Sequence, residues 1–380
     1  MNDLKYLFYL TKVEGLGAVR IKRLIEKFMY AEDVFGASVK GLSLIENISE
    51  KTAESILRTS DRFPELEKEY SLLLKKAKKL NAGILGITDP NYPELLKKIY
   101  DPPVILYVKG NYNKNDLLNC IGIVGTRKPT DYGKKISEKF ATELSTLGIA
   151  VISGFARGVD TNAHKAVLSN VEAKSITAAV FGCGVDVIYP PENRKLYDEM
   201  CEKGILMSEY ELSAIPDAVN FPKRNRIISG LSFGTIVIES DIDGGALITA
   251  RTALDQSREV FAVPGYITSK SSGGTNALIK SGQAKLVENI DDVLEEIQNK
   301  LTGISIGNNS GQKTEEKFIP ELKGNEKIIY EVLSGQPEPI HIDAISELTG
   351  LNISDSLVTL LNMEFKNHVE QLPGKRFKAR

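Results

Sequence analysis

Between Cys120 and Val287 short aliphatic, β-branched runs alternate with stretches of helical spacing, and this alternation constrains the fold more than any other feature. The runs are Ile121–Val124, Ala150–Ile152, Ile176–Phe181, Ile205–Met207, Ile236–Ile238, Val260–Val263 and Lys285–Val287. Most are apolar at consecutive positions rather than at every second one, as strands covered on both faces require. The pattern predicts an α/β fold: an extended Rossmann-like, mostly parallel sheet with helices on both faces.

The flanks read differently. Residues 1–80 carry short helical patterns broken at Gly15-Leu16-Gly17, which predicts a helical domain of the helix-hairpin-helix, SAM-like kind. Residues 81–300 form the Rossmann-like domain, entered through a Pro-rich connector (Pro90, Pro93, Pro102, Pro103) that ends in a short strand, Val104–Val108. A Gly/Asn/Ser-rich linker is expected over 301–322. Residues 323–380 predict three helices, Asn325–Leu333, His341–Leu348 and Ile353–Phe365, followed by a hairpin of His368–Leu372 with Arg376–Ala379. That is a winged helix.

Composition limits the chemistry. A formal net charge of −2 means that affinity for a polyanion must come from local patches. Cys120, Cys183 and Cys201 are widely spaced with no CxxC pair, which argues against structural zinc and a disulfide framework and fits a reducing compartment. No signal-peptide layout and no membrane-length apolar run are present, so a cytoplasmic protein without membrane contact is expected.

The candidate site lies in the segments that follow the strands. These are Gly125-Thr126-Arg127, the stretch Ser153-Gly154-Phe155-Ala156-Arg157-Gly158, the cationic Phe221-Pro222-Lys223-Arg224-Asn225-Arg226, and Gly244-Gly245 ahead of a helix. In a parallel sheet such segments share one edge, where ligands of open α/β folds bind. Glycines allow close backbone approach, helix N-termini aim N–H groups at anions, and arginines add charge. The expected ligand is a phosphate backbone held by Arg127, Arg157, Lys223, Arg224 and Arg226. Gly125, Thr126, Ser153, Gly154, Gly158, Asn225, Gly244 and Gly245 would line the cleft, and Phe221 would offer a face to a base. Reversing Arg224 and Arg226 to Glu is expected to abolish binding without unfolding the chain. A dinucleotide cofactor is not expected, because Gly122-Ile123-Val124-Gly125-Thr126-Arg127 is not GxGxxG and no acidic residue ends the second strand.

Other polar residues have plainer readings. Asp160 reads as a helix N-cap, His164 as a helix-packing histidine rather than half of a metal pair, and Glu239 as a structural hydrogen-bonding carboxylate. The third C-terminal helix carries Asp355 and Glu364, while the cations Lys375, Arg376, Lys378 and Arg380 fall in the wing and tail. Protein contact suits that helix better than major-groove readout.

Taken together, the Gly-Thr-Arg turn, Ser153–Gly158 with Val159-Asp160 and Ala163-His164, Phe221–Ser232, Gly245-Ala246-Leu247-Ile248-Thr249-Ala250, Val263-Pro264-Gly265 and the Tyr92-Pro93 and Asp101-Pro102-Pro103 connector resemble the DNA-processing protein A (DprA/Smf) family. The resemblance spans roughly Thr88–Leu286. It implies a non-enzymatic protein that binds and protects incoming single-stranded DNA, self-associates as a homodimer, and loads the RecA recombinase during natural transformation or DNA recombination. The alternative is a nucleotide-processing enzyme akin to the lysine-decarboxylase-like phosphoribohydrolases. Their Pro-Gly-Gly-x-Gly-Thr motif is incomplete at Ile242-Asp243-Gly244-Gly245-Ala246-Leu247.

Overall fold

The computed structural model describes residues 2–303, 322, 324–334, 339–366, 368–372 and 374–379. The expected linker, apart from 301–303 and 322, lies outside the described residues. Two compact units result, Met1–Ile306 and Gly307–Arg380.

The first unit is built on a nine-stranded sheet. Its strands are β1 (Ala82–Gly86), β2 (Ile105–Gly110), β3 (Cys120–Val124), β4 (Ala150–Ser153), β5 (Thr177–Val180), β6 (Ile205–Ser208), β7 (Gly234–Val237), β8 (Glu259–Ala262) and β9 (Lys285–Leu286). They lie in the order β1-β2-β6-β5-β4-β3-β7-β8-β9. All pairings from β6 through β9 are parallel, whereas β2 joins β6 and β1 joins β2 antiparallel. The chain runs outward from β3 through β4, β5 and β6, then returns to the other side of β3 with β7. The crevice between the ends of β3 and β7 is therefore the topological switch point.

Each strand sends alternate residues to opposite faces. Ile121, Ile123, Val151, Ile236, Ile238 and Phe261 enter one buried cluster with Phe140, Leu144 and Val159 from the helices Asp131–Thr146 and Val159–Ser169. Val124, Ile152, Val237 and Ala262 point the other way, into a cluster with Ile227, Ile228, Leu247 and Ala250 of the helices Asn220–Gly230 and Gly245–Asp255. Apolar residues at consecutive positions thus serve two layers. That second cluster continues without a break into Leu7, Leu10, Leu24, Ile56 and Leu66 of the N-terminal helices. Lys12 pairs with Glu211 at 2.7 Å, and Lys76 donates to the Leu212 carbonyl at 2.7 Å. The helical N-terminus is packed into the first unit.

The second unit contains the helices Asn325–Ser334, Ile342–Thr349 and Ile353–Phe365. Its sheet has the order β10 (Ile340–His341), β12 (Arg376–Ala379), β11 (Val369–Leu372). Gly350 closes the second helix in the left-handed conformation (φ +70°), a backbone state natural to glycine. This is the expected winged helix, with β10 as an added strand.

Candidate nucleic-acid interface

The segment Gly125-Thr126-Arg127 leaves β3 at the switch point and is held by main-chain bonds on both sides. The Thr126 amide donates to the Glu239 carbonyl at 2.8 Å, and its carbonyl accepts from the Val159 amide at 3.2 Å. Gly158 sits against it with φ +79°, and a Cβ there would lie 2.4 Å from the Thr126 carbonyl oxygen. Both conformation and space demand glycine at that position. The segments after β3, β4 and β7 are therefore laced into one edge, which encloses a cavity of about 610 Å³.

Arg127 is the exposed cation of this cavity, and among the described residues its side chain has no hydrogen bond or ion pair. The helix Gly245–Asp255 starts at the same cavity. Its N-cap, Gly244, has no side chain to accept from the first-turn amides. Eleven residues of aligned peptide dipoles thus end, without a side-chain cap, on the cavity that Arg127 also lines. Such a pairing attracts phosphate.

The aromatic wall comes from Phe221 and Tyr189, whose ring centroids are 5.4 Å apart at 35°. Phe221 packs directly over Gly182, where a Cβ would meet the ring at 2.8 Å. Tyr189 is 38% exposed and was missed at the sequence level. The detectable signal was an aromatic before the prolines Pro190 and Pro191, in the segment after the third strand of the alternation.

The cationic segment departs from its expected form. It is not a strand-end loop but the start of the helix Asn220–Gly230. Arg224 is 4% exposed. Its Nη1 donates to the carbonyls of Gly154 and Val180, and its Nε to Asn225 Oδ1. Burial lowers the guanidinium to about 10, opposed by the charge of Asp160. Arg226 leaves the other flank of the helix and pairs with Glu209 at 2.6 Å and Asp101 at 2.8 Å. It lines a separate cavity of about 910 Å³ together with Lys223. The two arginines are thus structural ties in this structure, and their reversal to Glu would bury unpaired charge. Contrary to the sequence-based expectation, the double variant should therefore not fold normally.

Of the remaining candidates, Asn225, Gly125, Thr126, Gly244 and Gly245 line the cavity with Arg127. Gly154 lines a small adjoining pocket with Arg157 and Arg224 instead, and a Cβ there would meet Asp160 and Arg224 at 2.7 and 2.8 Å. Ser153 is fully buried and donates to the Ile123 carbonyl at 2.6 Å, so it joins strands instead of facing a ligand. Arg157 is half exposed and pairs with Glu192 at 2.5 Å.

The nearby carboxylates are engaged. Asp160 is not the N-cap, a place Gly158 takes. From the second helical position its Oδ2 accepts from the Ala156 amide at 3.1 Å, and burial raises its pKa. Glu239 is 2% exposed and accepts from the Thr130 amide and hydroxyl at 2.9 and 2.5 Å. His164 is a packing residue: fully buried, its Nδ1 lies 2.6 Å from Thr177 Oγ1, and burial depresses its pKa to about 3.

The two end regions present engaged or apolar surfaces. In the N-terminal hairpin, Arg20 donates to the Gly15 carbonyl, Lys22 to the Ile99 carbonyl, and Arg23 pairs with Glu46. On the third winged-helix helix, Ile353, Leu357, Val358 and Leu361 are exposed beside exposed Asp355, while Lys375, Arg376 and Lys378 lie exposed in the wing.

Fold and cleft together define an open α/β protein with an arginine- and glycine-lined cavity at its switch point. The comparisons specify the kind. Residues 83–298 match the family model for DNA recombination-mediator protein A, residues 314–375 the DprA winged helix domain, and residues 8–60 a SAM-like helix-hairpin-helix tandem. The chain belongs to the DprA/Smf family of DNA-processing proteins. It is 31% identical to protein Smf of Synechocystis over 100% of this chain and 99% of that one. It is 38% identical to the DNA processing protein DprA of Bacillus subtilis, over 67% of this chain and 86% of the relative. The solved structure of DprA from Streptococcus pneumoniae superposes with a TM-score of 0.63 at 35% identity, covering 77% of this chain and 97% of that chain. DNA processing protein A from Helicobacter pylori, solved for its single-stranded DNA binding mode, gives 0.51 at 31% identity over 58% and 97%. No helix among the described residues is long and apolar enough to cross a membrane.

Proposed function

We propose that the cleft at the β3–β7 switch point holds single-stranded DNA without sequence preference. The observation that carries this reading is that Arg127, unpaired among the described residues, lines one cavity with the uncapped N-terminus of the helix Gly245–Asp255 and the Phe221–Tyr189 ring pair. Phosphate would settle between the guanidinium and the helix amides, and a base would lie against the rings. A duplex keeps its bases stacked inside, so it could not use the rings. The Helicobacter pylori relative, named for its single-stranded DNA binding, supports the same reading.

The role is non-enzymatic. Asp160 and Asp241, the carboxylates that line the cleft, and buried Glu239 beside it are engaged with loop and helix-start amides or with Lys270, which supports this reading. Membership of a recombination-mediator family supports the wider reading: the protein shields incoming single strands and delivers the RecA recombinase onto them, as a homodimer in the cytoplasm, during transformation or recombination.

Fluorescence anisotropy with labelled oligo-dT tests the core claim. Binding should weaken with salt at a log–log slope of about −0.7 per phosphate contact. A salt-independent signal, or equal affinity for duplex, overturns the reading. Released base after incubation with nucleoside monophosphates would overturn the non-enzymatic part. RecA filament formation on strands coated with single-strand-binding protein tests the delivery step, and sedimentation tests the dimer.

A further inference from the structure

The helix Asn220–Gly230 divides two cavities, and the cleft is only one of them. The other, of about 910 Å³, lies between this helix, the end of the Gly245–Asp255 helix and the Pro-rich connector. Pro222 lines both. Anything that leaves the cleft over the first turn of this helix therefore enters the second cavity directly.

Its chemistry is mixed but graded. On the floor, Arg226 is consumed by Glu209 and Asp101, and burial raises the pKa of Glu209 against the pull of that arginine. Arg258 donates to the Leu95 carbonyl at 3.1 Å. On the rim stand Lys98 and Lys223, both exposed and, among the described residues, without an ion pair or hydrogen bond. Tyr100, between Ile99 and Asp101, is 69% exposed. The helix start between the two cavities is held by Asp217, whose Oδ1 accepts from the Val219 amide at 3.1 Å and whose carbonyl accepts from the Asn220 amide at 3.0 Å. Asp255 is the exposed carboxylate that opposes the two lysines.

We propose that this second cavity is a further subsite for the same single strand, which crosses the helix start at Pro222. Lys98 and Lys223 hold the phosphate beyond the crossing, and Tyr100 stacks the next base. The inference rests on the proposed reading of the cleft. It assigns binding roles to Lys98 and Tyr100, and it moves Lys223 from the cleft to this subsite.

The test uses the full chain and the double variant Lys98→Ala/Tyr100→Ala. Both side chains are exposed, so the fold is preserved, and a thermal melt checks this. Anisotropy is measured with oligo-dT of increasing length at several salt concentrations, with Arg127→Glu in parallel. The double variant should bind short oligomers, which fill only the cleft, like wild type. It should bind long ones about tenfold more weakly, as loss of one stacked base implies. Its salt slope on long oligomers should fall by about 0.7, one lost phosphate contact. Equal affinity and slope at every length overturn the subsite while Arg127→Glu still weakens binding. If wild type binds no oligomer, the reading of the cleft itself has failed.

Discussion

The cleft and the winged helix both carry architectures associated with nucleic acid, yet they present opposite surfaces. At the cleft, main-chain bonds fix three loops, Arg127 has no side-chain partner among the described residues, and a helix start has no side-chain cap. On the third winged-helix helix the exposed face holds Ile353, Leu357, Val358 and Leu361 with Asp355 nearby. The contrast teaches that a fold's usual occupation is not evidence of its use in a given chain; the available charges and donors are.

The sharpest way to break this comparison acts within the cleft wall. Arg224→Ala strands the Gly154 and Val180 carbonyls and leaves Asp160 without its buried cation. Destabilisation of about 3–5 kcal/mol is expected in urea melts. A variant as stable as wild type would show that Arg224 is free to serve the ligand. Arg127→Glu should do the reverse: unchanged melting, with oligo-dT affinity lowered by about thirtyfold, near 2 kcal/mol, in anisotropy. Smaller is the effect of acid on the scaffold under the cleft. His164 has a folded pKa near 3, below its ordinary 6.5, so the unfolded chain binds the extra proton. Stability is then fully present above pH 6.5 and declines as pH falls from 6.5 towards 3. Between pH 7 and 5.5 the loss is about 1.3 kcal/mol, and His164→Gln should flatten that limb of the urea-denaturation profile. The smallest effect is expected from ending the chain at Ile306, which removes the second compact unit. Affinity for oligo-dT should change by less than about twofold; a larger loss would give the winged helix a direct share in binding.

The sheet was legible because its strands are apolar on consecutive residues, and Ile121 and Ile123 on one face with Val124 on the other fulfil that reading. β1 was not. Ala82-Gly83-Ile84-Leu85-Gly86 contains two glycines and no alternation, and it is recognisable only once β2 lies beside it. Among candidate residues, Gly125, Gly244 and Gly245 lie on the cavity at the switch point, where the strand-end position of their segments put them. The arginines of the cationic segment are divided, Arg224 lining this cavity from a buried position and Arg226 the other one, for a geometric reason. Residues two apart on a helix point about 200° from each other, so Arg224 and Arg226 could never share one surface once the segment became helical. Charge density in a sequence reports how much charge is present, and only the helix phase decides which side receives it. Likewise, a carboxylate near a helix start, such as Asp160, looks like a cap until Gly158 is seen to hold that position.

Thr126 is held through its own amide and carbonyl, to Glu239 on one side and Val159 on the other, so the cleft keeps its shape by atoms that every residue except proline possesses. Side chains around it can then be exchanged without remodelling the frame. Lineages could tune grip strength at Arg127 or the aromatic wall in single steps, each step leaving the loops where they were.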